Sequence, residues 1–348
     1  MATRRFSSAD AAEDLLYKEL AERDLQPLWK LSGLLTREPA ARAVPHVWHS
    51  GDLRPLAARA GELIPVDRGG DRRVLACANP GLGGAPWAVG TLWAAVQYLN
   101  ADEAAPAHRH TPAALRFVLE GSGVWTLVDG DPVPMAAGDL VLTPSWTFHE
   151  HHSSGANAMM WLDVLDLPLV AALDTVFFEE GPSDTATVTT PETSRSERLY
   201  GAGPGLLPVA SAGAVLSRSP LLAYRWADTD RALSAQLADG AVTGHIRYSD
   251  PATGRDVMPT MRCEMMRIPA GTATAAARQT GGRVGCVLGG TGTAAVGTSS
   301  FGLSPGDIIA VPSWCPLSIA ADSELDVFFT SDAPVLEALG LYRERTES

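Results

Sequence analysis

Residues 107–123 read AHRHTPAALRFVLEGSG, with His108 and His110 one residue apart. His149, His151 and His152 follow at the end of a later apolar run, GDLVLTPSWTFHEHH. Side chains alternate along a strand, so His108 and His110 project to one face. If the strand carrying His149 lies beside theirs in a small barrel, three imidazoles converge on one point. Three neutral nitrogen donors suit Fe(II), Mn, Zn, Ni or Cu. A lone buried histidine is more simply a hydrogen-bonded core residue. Spacing, clustering and the barrel context together favour a metal here.

Elements of the right kind surround the histidines. Short alternating apolar runs broken by turn signals fill 86–168, among them TLWAAVQYL, LRFVLEGSG, VWTLVDGDPVPM and AMMWLDVLDLPL. That spacing predicts an all-β sandwich or barrel. The texture returns over 257–333. Before the first β region, 1–85 reads as a helical arm followed by an irregular Pro- and Gly-rich segment. Residues 9–36 read as helix on the stripe Leu15, Leu16, Leu20 and Leu25, broken or restarted at Pro27. Between the β regions, 169–256 is a connecting segment that includes the Ser/Thr-rich stretch near 181–197. The end, 334–348, reads as a short helix and a tail.

At 348 residues the chain is too long for one ordinary core, and 46% hydrophobic residues suffice for two. No window reaches the apolar length of a membrane span, and the N-terminus lacks the apolar core of a signal peptide. Cys77, Cys263, Cys286 and Cys315 are scattered, with no CxxC pair, which suits a reducing cytoplasm. The net charge of −13 argues against nucleic acid and against an anionic membrane surface. It also means that an anionic substrate needs locally placed cations.

The two β regions read as copies. GSGVWTLVDGDPVPMAAGDLVLTPSW at 121–146 pairs with GTGTAAVGTSSFGLSPGDIIAVPSW at 290–314, matching GxG, GD and PSW in turn. Aligned on the glycines, the partners of His108 and His110 are Ala277 and Gln279. Aligned on PSW, the partner of His149 is Leu317. The second copy should therefore hold no metal, which leaves one ion per chain.

Six further residues carry chemistry on their own types. Arg116 interrupts an apolar stretch and shares the parity of the histidines if Pro112 leaves the strand unbroken. It is then a buried cation for an anion; otherwise it faces solvent. Trp93, Ala95 and Gln97 share one strand face and could wall a flat ring. Trp93 also suits ordinary core, whereas a buried Gln97 amide must be fully hydrogen-bonded. Asp163 is a carboxylate in an apolar strand and, if buried, needs a partner. Arg72 is either a second cation or one of two adjacent surface arginines.

HRHTPAALRFVLEGSG followed by GDLVLTPSWTFHEH resembles the two cupin motifs. In detail it resembles the gentisate 1,2-dioxygenase family, bicupins that include salicylate and 1-hydroxy-2-naphthoate dioxygenases. The resemblance covers most of the chain. It implies two jelly-roll barrels behind an N-terminal helical arm, and a homotetramer. The generic cupin glutamate is absent: Ala114, Leu115 and Arg116 occupy its place, and Glu120 lies too far along. The resemblance thus implies Fe(II) held by His108, His110 and His149 alone, with O2 as co-substrate. It places Arg116 on the substrate carboxylate, and Arg72 and Gln97 near the substrate. His151 becomes an acid/base or hydrogen-bond donor, and Asp163 faces the ring position para to the iron-chelating hydroxyl. The implied reaction opens a hydroxybenzoate between its carboxyl- and hydroxyl-bearing carbons, with gentisate giving maleylpyruvate. The same chemistry on salicylate, a 5-amino, 5-nitro or 5-halo salicylate, or 1-hydroxy-2-naphthoate is the alternative. A Mn or Zn cupin isomerase or decarboxylase, and a non-catalytic bicupin, are the readings from other classes.

Overall fold

The computed structural model describes residues 8–65, 73–153, 157–181, 192–203, 205–209 and 218–347. It divides between Ala40 and Ala41 into two compact units. In the first, the helix Ser8–Ala21 ends well short of residue 36, and Pro27 starts a single 3-10 turn, Leu28–Lys30. Asp24 takes a left-handed φ of 55° between them, which an α-helix cannot continue through. Lys30 stacks its ammonium 3.2 Å from the centre of the Tyr17 ring.

The second unit holds two β-barrels of matching design. In the first barrel, a six-stranded sheet runs in the order Ala223–Tyr224, Leu140–Thr143, Ala114–Glu120, Met159–Leu165, Trp93–Leu99, Val74–Ala76. It faces a five-stranded sheet of order Phe178–Glu180, Ala104–His110, His149–Ser153, Ser122–Val128, Asp131–Ala136. The second barrel repeats the pair. Its six strands run His46–Trp48, Ile308–Val311, Arg283–Gly289, Leu325–Ser331, Arg262–Ile268, Gly244–Arg247. Its five run Ser299–Leu303, Gly292–Val296, Leu317–Ala321, Ala277–Gln279, Glu344–Thr346. The sheets thus reach beyond 86–168 and 257–333, borrowing edge strands from the segments on either side. Residues 182–191 of the Ser/Thr-rich stretch lie outside the described residues.

The repeated motifs explain the shared shape. Asp129-Gly130 takes positive φ at both positions (46° and 82°), as a two-residue hairpin requires. In the PSW turns, Trp146 and Trp314 both sit at φ 61°. Their N–H groups donate to His110 O at 2.8 Å and Gln279 O at 2.7 Å, tying the turn to the strand of the first two histidines or its counterpart. The GD aspartates each close the start of a helix. Asp139 Oδ1 accepts the Trp226 N–H at 2.9 Å, and Asp307 Oδ1 accepts the Ser50 N–H at 2.7 Å. The helices so capped are Trp226–Ala238 and Ser50–Leu63.

The two six-stranded sheets pack face to face, and one apolar core spans both barrels. Leu115, Phe117, Leu162 and Val164 enter it from the first barrel, and Met265, Val284, Cys286 and Phe328 from the second. Phe117 and Phe328 stack at 4.3 Å with planes 7° apart. A strand buried on both faces reads as a nearly continuous apolar run, as ALRFVLE does but for Arg116 and the terminal Glu120. Its odd residues, Leu115 and Phe117, go to the shared core, which leaves Arg116 to face the interior of its own barrel.

Candidate active site

The histidine strands pair as their spacing requires. His108 lies directly opposite His149, after a bulge between Ala105 and His108. Ring centroids stand 4.2 Å apart for His108–His149, 4.9 Å for His110–His149 and 5.3 Å for His108–His110. Their ligand atoms all fall within 4.8 Å of one another, so the triad can hold a metal ion.

Backbone carbonyls orient the rings. Nδ1 of His108, His110 and His149 meets Pro106 O at 3.3 Å, Pro112 O at 2.7 Å and Thr147 O at 2.9 Å. A carbonyl can only accept, so each Nδ1 carries the proton and each Nε2 presents its lone pair to the centre. Nε2 of His149 is buried without a hydrogen-bond partner, an atom that a metal would satisfy. Burial above all, then the charges of Arg116, His108 and His110, hold the His149 pKa well below its ordinary value. A neutral ring is the form that ligates.

The triad opens into a cavity of about 360 Å³. Arg116, only 3% exposed, lines it together with Asp163, at 4%. The two lie directly opposite on neighbouring strands, with Arg116 Nε 3.3 Å from Asp163 Oδ1. Arg116 also donates to Thr143 Oγ1, and Trp161 Nε1 donates to Asp163 Oδ2 at 3.1 Å. Burial pushes the Arg116 pKa down, and Asp163 opposes the shift. The carboxylate expected to need a partner has one, and the solvent-facing readings of both residues are excluded.

Trp93 and Gln97 line the same cavity. Ala95 lies between them on the shared face, opposite Asp163, fully buried and outside the lining. His151 has the parity of His149 but sits a layer deeper, 0% exposed, with ring centroids 6.2 Å apart. Its Nδ1 lies 2.8 Å from Thr126 Oγ1. His152 faces the other way and stacks on Trp125 at 4.3 Å. Arg72 lies outside the described residues. Glu120 is paired at 2.9 Å with Arg54, and among the described residues no carboxylate joins the metal-capable group.

Sequence reading missed one wall. Val176, Phe177 and Phe178 line the cavity, and Phe178 pairs with His110 while its ring lies 5.5 Å from His108. They come from the segment assigned to the connection. The adjacent aromatics of TVFFEEG were the available signal, since two such rings in an exposed loop call for a reason. Pro86 and Trp87 contribute from an irregular loop that carries no periodicity.

In the second barrel, Ala277 pairs with Leu317 as His108 pairs with His149, so the repeat's register holds while its donors are gone. Gly285 stands where the first barrel has Arg116, and Phe329 pairs with it where Asp163 would be.

Two fused barrels of one design, with a metal-capable triad in the first, define a bicupin. A cupin-domain family model matches residues 95–165. A gentisate 1,2-dioxygenase from Streptomyces sp is 50% identical over 340 residues, covering 95% of this chain and 94% of the relative. A 5-aminosalicylate 1,2-dioxygenase from Comamonas sp is 35% identical, covering 95% of this chain and 90% of the relative. Among solved structures, a mutant salicylate 1,2-dioxygenase from Pseudoaminobacter salicylatoxidans, in complex with gentisate, superposes with a TM-score of 0.95 at 44% identity. That match covers 100% of this chain and 98% of the other. The chain belongs to the gentisate 1,2-dioxygenase family of bicupin ring-cleaving dioxygenases.

Proposed function

We propose that this chain cleaves gentisate to maleylpyruvate with Fe(II) on His108, His110 and His149, one ion per chain. The observation that carries this reading is the placement of the three imidazoles and the Arg116–Asp163 pair in one cavity. A ferrous ion held by His108, His110 and His149 would supply a dication for the substrate's carboxylate and adjacent hydroxyl to chelate, and the redox chemistry that O2 requires. The donor set fits it: three neutral ligands leave the charge at +2, and Arg116 and Asp163 cancel. Carboxylate plus ionised hydroxyl then completes neutrality in a buried site, where an unbalanced charge is costly.

The chain's own residues do the rest. Arg116 is directed at the substrate carboxylate, with Thr143 and Asp163 holding its guanidinium. Trp93 and the Phe177–Phe178 wall sandwich the ring and exclude water. Gln97 and Asp163 meet the second hydroxyl of gentisate, Asp163 as its acceptor. Arg72 is assigned to the substrate as a second cation on the family resemblance alone. His151, a layer below, takes the acid/base and hydrogen-bonding role, and buried Ala95 leaves room for the ring. The bond between the carboxyl- and hydroxyl-bearing carbons opens, and both oxygen atoms of O2 enter the product.

Salicylates substituted at position 5 are the second reading, supported by the mostly apolar cavity and by what the Comamonas relative acts on. Parallel oxygen uptake on gentisate, salicylate and 5-substituted salicylates decides between them. The expected order places gentisate first; no uptake with any of them refutes the dioxygenase reading.

The assembly is proposed as a homotetramer. Exposed Leu28, Trp29, Leu34 and Leu35 in the first unit support burial against another subunit. Four free cysteines support a reducing cytoplasm. No helix among the described residues is long and apolar enough to cross a membrane.

A further inference from the structure

Beneath the cavity floor, one side chain touches both polar groups that the chemistry uses from that side. Trp161 is 0% exposed and lies on the strand face of Asp163, within the apolar plug of Leu99, Val118, Met135 and Val141. Apolar packing alone would not require a polar atom at that position. An indole adds one N–H donor, and a buried N–H must be satisfied. Here it donates to Asp163 Oδ2 at 3.1 Å. On its other side the Trp161 ring lies against His151, with centroids 5.4 Å apart and planes inclined at 55°. His151 is held from behind by Thr126 Oγ1 at 2.8 Å, and that hydroxyl donates to Met135 Sδ at 3.2 Å. Thr126 on one side and the Trp161 ring on the other thus hold the His151 imidazole in place.

We propose that Trp161 is a positioning residue for the ring-cleavage reaction, fixing Asp163 against Arg116 through its indole N–H and setting the plane of His151 with its ring. This rests on the reading that Asp163 receives the second hydroxyl of gentisate. Asp163 has two oxygens, one toward Arg116 and one on Trp161. Without the indole donor the carboxylate loses one of the contacts that orient it, and the guanidinium paired with it shifts accordingly. The consequence falls on substrates that use Asp163, and spares those that need only the triad and Arg116.

The test is Trp161→Phe in the iron-loaded full chain, alone and combined with Asp163→Asn. Iron content should stay at the wild-type value. The kcat/KM for gentisate should fall about tenfold, the size of a lost hydrogen bond to a charged group. That for salicylate, which lacks the second hydroxyl, should fall by under about threefold. In the Asp163→Asn background the same substitution should add less than about twofold, because coupled residues are not additive. Equal losses on both substrates, or full additivity, overturn the proposal. If Asp163→Asn itself leaves the gentisate-to-salicylate ratio unchanged, the reading of Asp163 falls and takes this one with it. If that ratio moves while Trp161→Phe leaves it alone, only the role of Trp161 falls. Should Trp161→Phe not fold, ultraviolet resonance Raman difference spectra of wild type against Asp163→Asn decide. One of the nine indoles should lose a strong N–H hydrogen bond, and a flat difference overturns the proposal.

Discussion

At the residue scale, the site is a set of buried polar groups, each held by a named partner. Arg116 illustrates the energetics. Arg116→Met removes the cation proposed to meet the substrate carboxylate and takes from Asp163 its counter-charge. The expected result is a loss of about 10²-fold in kcat/KM with iron retained. A stability loss of about 3 kcal/mol accompanies it, read by denaturant titration. His110→Ala should instead abolish iron binding and activity together, read by metal analysis. The histidines were legible in the sequence because strand parity is a local rule. The Arg116–Asp163 pair was half legible: a carboxylate in an apolar strand demands a partner, but only the register across two strands names it. The depth of His151 was not legible, since parity gives a side chain its face and not its layer.

At the element scale, two aspartates in equivalent GD turns serve one structural purpose at unequal cost. Asp307 caps the helix from Ser50 and also meets half-exposed His49 at 3.2 Å. Asp139 caps the helix from Trp226 and pairs with Arg225, which also binds Glu197 at 2.6 Å. Asp307→Ala should cost about 1–2 kcal/mol, the value of a helix cap. Asp139→Ala should cost about 1–2 kcal/mol more, because it also breaks an ion pair that is mostly buried. Paired urea titrations check the inequality; equal costs would contradict it. Gly285 is the second barrel's constraint: a Cβ there would lie 2.5 Å from the Phe329 ring and 2.6 Å from Ile309. Gly285→Ala should therefore destabilise by about 1–3 kcal/mol without touching the metal, as thermal unfolding and iron content together will show. The repeat itself was legible from GxG, GD and PSW. The borrowed edge strands were not, because three-residue strands such as His46–Trp48 carry too little periodicity. The helix over 9–36 was overread, since leucines on either side of a left-handed residue mimic one stripe.

At the scale of the whole molecule, the second unit's shared core makes the second barrel necessary to the one that carries the triad. Phe117 packs on Phe328, and the strand that carries Arg116 is buried only because the second barrel covers its far face. Two carboxyls at matching places repeat the theme. Burial pushes Asp166 and Asp332 up to about 6. Asp166 is opposed by Thr260, at the entry to the second barrel, and by the Ala113 N–H. Asp332 is opposed by Thr91, at the entry to the first. A carboxyl whose pKa is raised on folding binds its proton more tightly in the native state. Stability should therefore fall as pH rises from about 4 to 6, by on the order of 3 kcal/mol per group, and stay flat above. Asp166→Asn with Asp332→Asn should flatten that slope in melting temperature against pH. An unchanged slope would contradict it. Neither carboxyl was legible as special in the sequence, since each draws its environment from the opposite barrel.

The most direct test of the account is iron per chain, measured with oxygen consumption on the same sample. Anaerobic loading with ferrous salt, followed by desalting, should leave one iron per chain, and none in the His149→Ala variant. Gentisate should then consume one O2 per molecule cleaved. A wild-type chain that retains no iron, or an iron-loaded chain that consumes no O2 with any hydroxybenzoate, would contradict it.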